Sequence, residues 1–219
     1  MSQPSPLSPD QPAPVVLTIV AICTVPELLF LLAETPFLGQ GGLRRTAMVY
    51  GAFWPRLLID WVPVWPGQPA AMFVTYAFLH GGIMHLLFNM LVLVHLSREA
   101  VQRLGQRGFV LAYAVTAAGG AVAFLALSDA PGPMVGASGA VFGFFGMTQF
   151  WDWQRRRARG ASLRPFWNLM LGLVLMNVAL FFLVGGFLAW QAHLGGYVAG
   201  FLLARFVTPT PRHGWRDFR

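Results

Sequence analysis

Apolar residues fall in six long runs along the chain, with polar and turn-forming residues gathered in the gaps between them. The runs are Val15–Ala33, Ala70–Leu96, Phe109–Leu127, Ser138–Trp151, Trp167–Ala189 and Trp190–Val207. A helix that crosses a bilayer needs about 20 largely apolar residues, and every run but the fourth approaches or exceeds that length. The last two form one apolar stretch, divided near Gly185-Gly186 because a single helix of that length would overshoot the bilayer. The pattern predicts an all-α, polytopic bundle of six transmembrane helices with a short fourth helix. Residues 1–14, rich in proline and serine, read as a disordered cytoplasmic leader, 15–207 as the transmembrane domain and 208–219 as a basic cytoplasmic tail. The leader lacks a basic n-region, so the first run is expected to stay in the mature protein rather than leave as a signal peptide.

Composition excludes the soluble alternatives. Of 219 residues, 56% are hydrophobic and 11% charged, with a mean hydropathy of +0.60. Soluble domains carry roughly 25% charged residues, so this chain could not coat one. Cys23 is the sole cysteine, which rules out a disulfide scaffold. The net charge of +7 rests on fifteen arginines and no lysine. They lie between apolar runs rather than along one soluble face, so their expected partners are lipid headgroups and not nucleic acid.

Arginine placement also sets the orientation. With a cytoplasmic N-terminus, the inner loops hold Arg98, Arg103, Arg107, Arg155, Arg156, Arg157, Arg159 and Arg164, and the last span and tail add Arg205, Arg212, Arg216 and Arg219. Only Arg44, Arg45 and Arg56 fall outside. Both termini are therefore expected in the cytoplasm. The first outer connection, Glu34–Pro69, carries Trp54, Trp61 and Trp65, with Pro55, Pro63, Pro66 and Pro69 interrupting any long helix. Interfacial tryptophans favour a loop lying partly in the outer leaflet; an ordinary extramembrane loop is the alternative.

The fourth run is the anomaly. Its 14 residues span about 21 Å, short of a hydrocarbon core of about 30 Å. The preceding segment Asp129–Ala137 holds two prolines and two glycines and cannot extend the helix. It is expected to dip into the membrane from outside, with the helix starting near Ser138, about 10 Å below the surface. Irregular backbone at that depth needs burial or water, which implies a wet cavity. Ser138 alone reads equally as a helix cap. Helical rise, however, brings His193 to about 18 Å and His85 to about 20 Å above the inner boundary, with Asn89 one turn below His85. A hydroxyl, two imidazoles and an amide thus share one depth, and polar groups there are functional hypotheses by default. His193, Gly196 and Gly200 share a helix face, and Gly139, Gly143 and Gly146 offer a matching small surface, so spans four and six are expected to pack closely enough for Ser138 Oγ to meet His193.

These residues resemble the rhomboid family of intramembrane serine proteases. Gly136-Ala137-Ser138-Gly139 is similar to its G-x-S-G nucleophile motif. Ala192-His193-Leu194-Gly195-Gly196-Tyr197-Val198-Ala199-Gly200 is similar to its A-H-x-x-G-x-x-x-G, and His80, His85 and Asn89 to its H-x-x-x-x-H-x-x-x-N. The resemblance runs from Thr75 to Ala204. It implies six helices, a Ser138–His193 dyad without an acidic third member, and cleavage of other proteins' transmembrane segments near the outer face. It implies no cofactor and no metal, and partners that are transmembrane protein substrates and membrane lipids. The expected location is a bacterial cell membrane. One departure stands out: many members carry Trp-Arg where this chain has Ala71-Met72, leaving the outer loop without that anchor.

The expected chemistry assigns Ser138 as nucleophile and His193 as base, with Phe142 packed on the imidazole in place of an orienting carboxylate. The amides at the helix start, including that of Ser138, and the side chains of His85 and Asn89 are the expected oxyanion donors. His80, about 140° from His85 if both share a helix, suits the outer loop or water access, or helix packing. Phe181, Phe182 and the Leu183–Trp190 region fit either a substrate gate or lipid-facing filler. Glu27, mid-span beside Pro26, has no evident partner. A metalloprotease is disfavoured because no H-E-x-x-H occurs, and an aspartyl protease because Asp10, Asp60, Asp129, Asp152 and Asp217 all fall outside the runs. A transporter would need repeated halves, which the chain lacks. The alternative function is a catalytically silent rhomboid-like factor that binds or delivers membrane clients.

Overall fold

The computed structural model describes residues 12–35, 42–130 and 132–207; most of the leader and the tail 208–219 lie outside these residues. Proline at its first position opens α1 (Pro14–Ala33). The outer connection folds into α2 (Leu43–Gly51), a 3₁₀ turn at Pro55–Leu58 and α3 (Gln68–Thr75), which runs into a second 3₁₀ turn at Tyr76–Phe78. Then come α4 (Ile83–Leu127), α5 (Ser138–Ala158), α6 (Arg164–Leu183) and α7 (Trp190–Phe206). Among the described residues there is no strand, only an isolated antiparallel bridge between Phe53 and Met134.

α4 is broken at Gly105, whose φ of 69° and ψ of 175° are open only to glycine at little cost. The second arm returns toward the start of the first, so that the Tyr113 hydroxyl donates to the Ala77 carbonyl at 2.8 Å. Two expectations need correction. The run Ala70–Leu96 is not one helix: it breaks after Phe78, and α4 begins only after Gly82, at φ 146°. His80 therefore lies in the break and not on the helix of His85. The fourth helix is also not short. Its apolar part ends at Trp151, but α5 continues to Ala158, where Arg155 pairs with Glu99 of α4 at 2.7 Å and Arg156 with Asp152 at 2.5 Å. Arginines in a last helical turn also complement the helix dipole.

Small residues bring the central helices together. A Cβ on Gly196 would overlap the Gly139 carbonyl, and one on Gly200 the Gly143 carbonyl, so α5 and α7 meet backbone to backbone. Gly195 meets the Gly119 carbonyl of α4 in the same way. Around this seam Phe53, Tyr76, Phe109, Tyr113, Phe144 and Trp151 are fully buried.

The periphery is apolar and exposed. Leu17, Val25, Leu29 and Leu32 of α1 and Leu171, Val174, Leu175 and Phe182 of α6 face outward. Among the described residues, three helices, α1, α4 and α6, are long and apolar enough to cross a membrane. Exposed apolar surface on this scale needs lipid rather than water around it. α6 buries only Phe166 and Leu173, so little core packing holds it. After α6 the chain reverses through Gly185 and Gly186, both at positive φ.

Candidate active site

Ser138 is the first residue of α5, where a helix leaves its opening amides unpaired. The preceding Ala137 occupies the cap position, and the Ser138 hydroxyl makes no capping bond. Among the described residues that hydroxyl has no hydrogen-bond partner, His193 included, and the residue is half-buried. One turn on, the Phe142 ring stacks on the His193 imidazole, with centroids 4.1 Å apart and planes within 5°. The stack depends on the glycine seam, since Gly139 and Gly143 flank Phe142 and Gly196 lies one turn after His193.

The segment leading to Ser138 is fixed on three sides. Phe53 and Met134 exchange both backbone bonds, at 2.9 and 3.0 Å, which docks the outer connection against it. The Gly136 amide donates to the Tyr76 carbonyl at 3.1 Å, and the Ala137 amide to His80 Nε2 at 3.4 Å. Gly136 has φ 120°, and a Cβ there would stand 2.6 Å from His85 Cε1 and Nε2. Glycine is thus required both for the backbone angle and for the imidazole beside it.

His80, buried, stands edge-on to His85 at 5.2 Å. His85 Nδ1 accepts from the Gly81 amide at 3.4 Å, so in the neutral ring Nε2 carries the proton beside Gly136. Asn89 is buried and donates through Nδ2 to the His85 carbonyl at 2.8 Å. The structure thus brings Gly136, His80 and His85 together before Ser138, and Phe142 and His193 together after it.

Sequence reasoning missed two contributors. Asn177 of α6 lies with Oδ1 2.6 Å from His193 Nδ1. An amide in the middle of an apolar span is itself a signal, since such a group needs a partner. The second is Arg44. Its Nη1 donates to both oxygens of Glu27, at 3.0 and 2.9 Å, and to the His80 carbonyl at 3.1 Å, while its Nε donates to Glu34 at 2.7 Å. Glu27 therefore has a partner, and the outer connection has an anchor that does not use the Trp-Arg position. These carboxylates hold the Arg44 guanidinium above its ordinary pKa, and Arg44 holds the Glu34 carboxyl below the usual value.

A cavity of about 530 Å³ separates α6 from α5 and α7. Phe142, Leu173, Val174 and Phe181 give it an apolar wall, interrupted by Asn177, His193 and Tyr197. His193 thus faces Phe142 on one side and a space bounded by the loosely packed helix on the other.

Comparison with known proteins agrees with this architecture. The rhomboid domain model matches residues 67–210. RHOMBOID-like protein 6, mitochondrial, of Arabidopsis thaliana is 30% identical over 194 residues, covering 86% of this chain and 57% of that protein. The rhomboid protease GluP of Bacillus subtilis is 31% identical over 126 residues, covering 58% of this chain and 24% of that protein. The rhomboid protease GlpG of Yersinia enterocolitica is 27% identical over 203 residues, 91% of this chain and 64% of that protein. The chain belongs to the rhomboid family and is an integral membrane protein. It spans about half the length of RHOMBOID-like protein 6 and of other Arabidopsis thaliana relatives that it matches.

Proposed function

We propose that this protein is an intramembrane serine endopeptidase that cleaves transmembrane segments of other membrane proteins near the outer face. The observation that carries the reading is the Phe142–His193 stack, one turn from a serine whose hydroxyl is not committed elsewhere among the described residues. Ser138 Oγ attacks the scissile carbonyl while His193 Nε2 takes its proton, and the new C–O bond leaves a tetrahedral oxyanion. That intermediate collapses as His193 returns the proton to the leaving amine, and water then releases the acyl enzyme by the same route. The opening amides of α5 point their dipoles at the oxyanion, and His85 Nε2–H and Asn89 add donors from α4. Two GlpG- and GluP-type proteases among the relatives support this reading.

In the same reading α1, the two arms of α4, α5, α6 and α7 make six crossings, with both termini cytoplasmic and the outer connection resting in the outer leaflet. The arginine bias supports this orientation, and a bacterial cell membrane is the location proposed. The substrates are transmembrane helices, entering from lipid beside α6.

A second reading, a client-binding factor without cleavage, draws on the absence of a Ser138–His193 hydrogen bond among the described residues. Reaction of the detergent-purified protein with a fluorophosphonate probe decides between them. The protease reading expects labelling of the wild type and none of Ser138→Ala or His193→Ala. Labelling that persists in Ser138→Ala rejects Ser138 as nucleophile, and an unlabelled wild type favours the client-binding factor.

A further inference from the structure

We propose that Asn177 is a positioning residue that fixes the tautomer of His193, so that its base nitrogen is the one available to Ser138. The inference rests on the protease reading for its consequence, but its geometry stands apart from it. Asn177 Nδ2 donates to the carbonyl of Leu173, one turn earlier on α6, at 2.9 Å. This contact sets which way the amide points, because a flipped amide would turn its oxygen onto that carbonyl, acceptor against acceptor. The atom 2.6 Å from His193 Nδ1 is therefore Oδ1.

An amide oxygen can only accept, so Nδ1 must be the donor and must carry the ring proton. The neutral imidazole then keeps its lone pair on Nε2. A general base needs that lone pair facing the nucleophile, and a wrong tautomer costs turnover even when the ring is correctly placed. The Phe142 stack fixes the plane of the ring but says nothing about which nitrogen is protonated, since a π-face interacts alike with both tautomers. Asn177 supplies the missing information without placing a second charge in the membrane.

The placement of the residue is also informative. α6 buries only Phe166 and Leu173, and Asn177 borders the cavity between α6 and α7. Apart from the contact of the Tyr197 hydroxyl with the Met170 sulfur, the Asn177–His193 bond is the polar link between these two helices among the described residues. The orientation of the base is thereby tied to a helix that little core packing holds.

The test uses the full chain in detergent micelles, comparing wild type with Asn177→Leu and Asn177→Asp. Leu removes the acceptor at similar volume, whereas Asp restores an acceptor oxygen at the same reach. Fluorophosphonate labelling of Ser138 should slow about tenfold in Asn177→Leu and return toward the wild-type rate in Asn177→Asp. Histidine ¹⁵N spectra, with the His193 signal identified by its loss in His193→Ala, should show the proton on Nδ1 in wild type. In Asn177→Leu they should show a mixture of tautomers. Wild-type labelling rates in Asn177→Leu, or a wild-type His193 protonated on Nε2, overturn the assignment. If the wild type fails to label at all, the protease reading fails, and the spectra still decide the role of Asn177.

Discussion

Arg44 Nη1 sits 2.9 and 3.0 Å from the two carboxylate oxygens of Glu27, a residue only 1% exposed in the middle of α1. A carboxylate at that depth is costly unless paired. The pair explains why an arginine of the outer connection reaches into the bundle, where it also meets the His80 carbonyl at 3.1 Å. Removing one partner leaves the other charge stranded. Arg44→Ala is expected to destabilise the fold by about 3–5 kcal/mol, read from unfolding in detergent. Glu27→Gln combined with Arg44→Gln should cost clearly less than the sum of the two single changes, and strict additivity would show that the pair is not coupled.

The outer arm of the same cluster should respond to pH. Arg44 holds the Glu34 carboxyl below its ordinary value of 4.5. A depressed carboxylate contributes stability that is complete above its unfolded pKa and is lost as pH falls through the lower, folded one. Glu34 is exposed, so the contribution is small and screened by salt. The expected result is a wild-type unfolding temperature that falls toward that of Glu34→Gln as the solution is acidified through the carboxylate range. A gap that widens on acidification would contradict the assignment.

The glycine seam makes a sharper distinction. A Cβ on Gly196 or Gly200 meets a backbone carbonyl of α5, which cannot rotate away as a side chain can. Gly196→Ala is expected to cost about 1–3 kcal/mol through forced separation of α5 and α7, and to disturb the Phe142–His193 stack with it. Gly172 of α6 has nothing within 4 Å of a Cβ. Gly172→Ala should therefore stabilise the protein, by about 0.4–1 kcal/mol, through reduced freedom of the unfolded chain. Similar effects at both sites would mean that helix propensity and not close approach governs the seam.

Much of this arrangement was legible before any coordinates. Two prolines and two glycines ahead of Ser138 fixed where α5 could begin, and the glycine spacing in α5 and α7 anticipated their contact. What failed did so for physical reasons. Hydropathy stays high through Leu79 and the two glycines after His80, so the break before α4 is invisible to it. The break is a matter of backbone angle, with Gly82 at φ 146°. The Glu27–Arg44 pair and the Phe53–Met134 bridge join residues far apart in sequence, and no periodicity reports such contacts. Asn177 was visible as a polar residue in an apolar run, but its partner depended on how α6 lies against α7.

Substitutions at the site should separate chemistry from orientation. Ser138→Ala and His193→Ala are expected to abolish cleavage of a transmembrane substrate. Asn89→Ala should leave residual activity, because Nδ2 of Asn89 already donates to the His85 carbonyl and, in the proposed mechanism, the α5 amides share the oxyanion. Loss of one oxyanion donor costs about 10²–10³ in turnover, so the residue should lower kcat without abolishing it. Complete loss in Asn89→Ala, equal to that of Ser138→Ala, would assign Asn89 to the fold instead.

Phe142 tests how the proposed base is held without a carboxylate. Its ring lies 4.1 Å from the His193 ring and nearly parallel to it. Aromatic pairs of this kind contribute about 0.5–1.5 kcal/mol beyond the area they bury. If that energy keeps the imidazole in its reactive orientation, Phe142→Leu, which preserves apolar bulk but removes the flat face, should slow fluorophosphonate labelling by up to about tenfold. Phe142→Tyr keeps the face and should label nearly as fast as wild type. A Leu variant that matches the wild-type rate while Tyr does not would mean that volume alone orients the imidazole and that the stacked face is incidental.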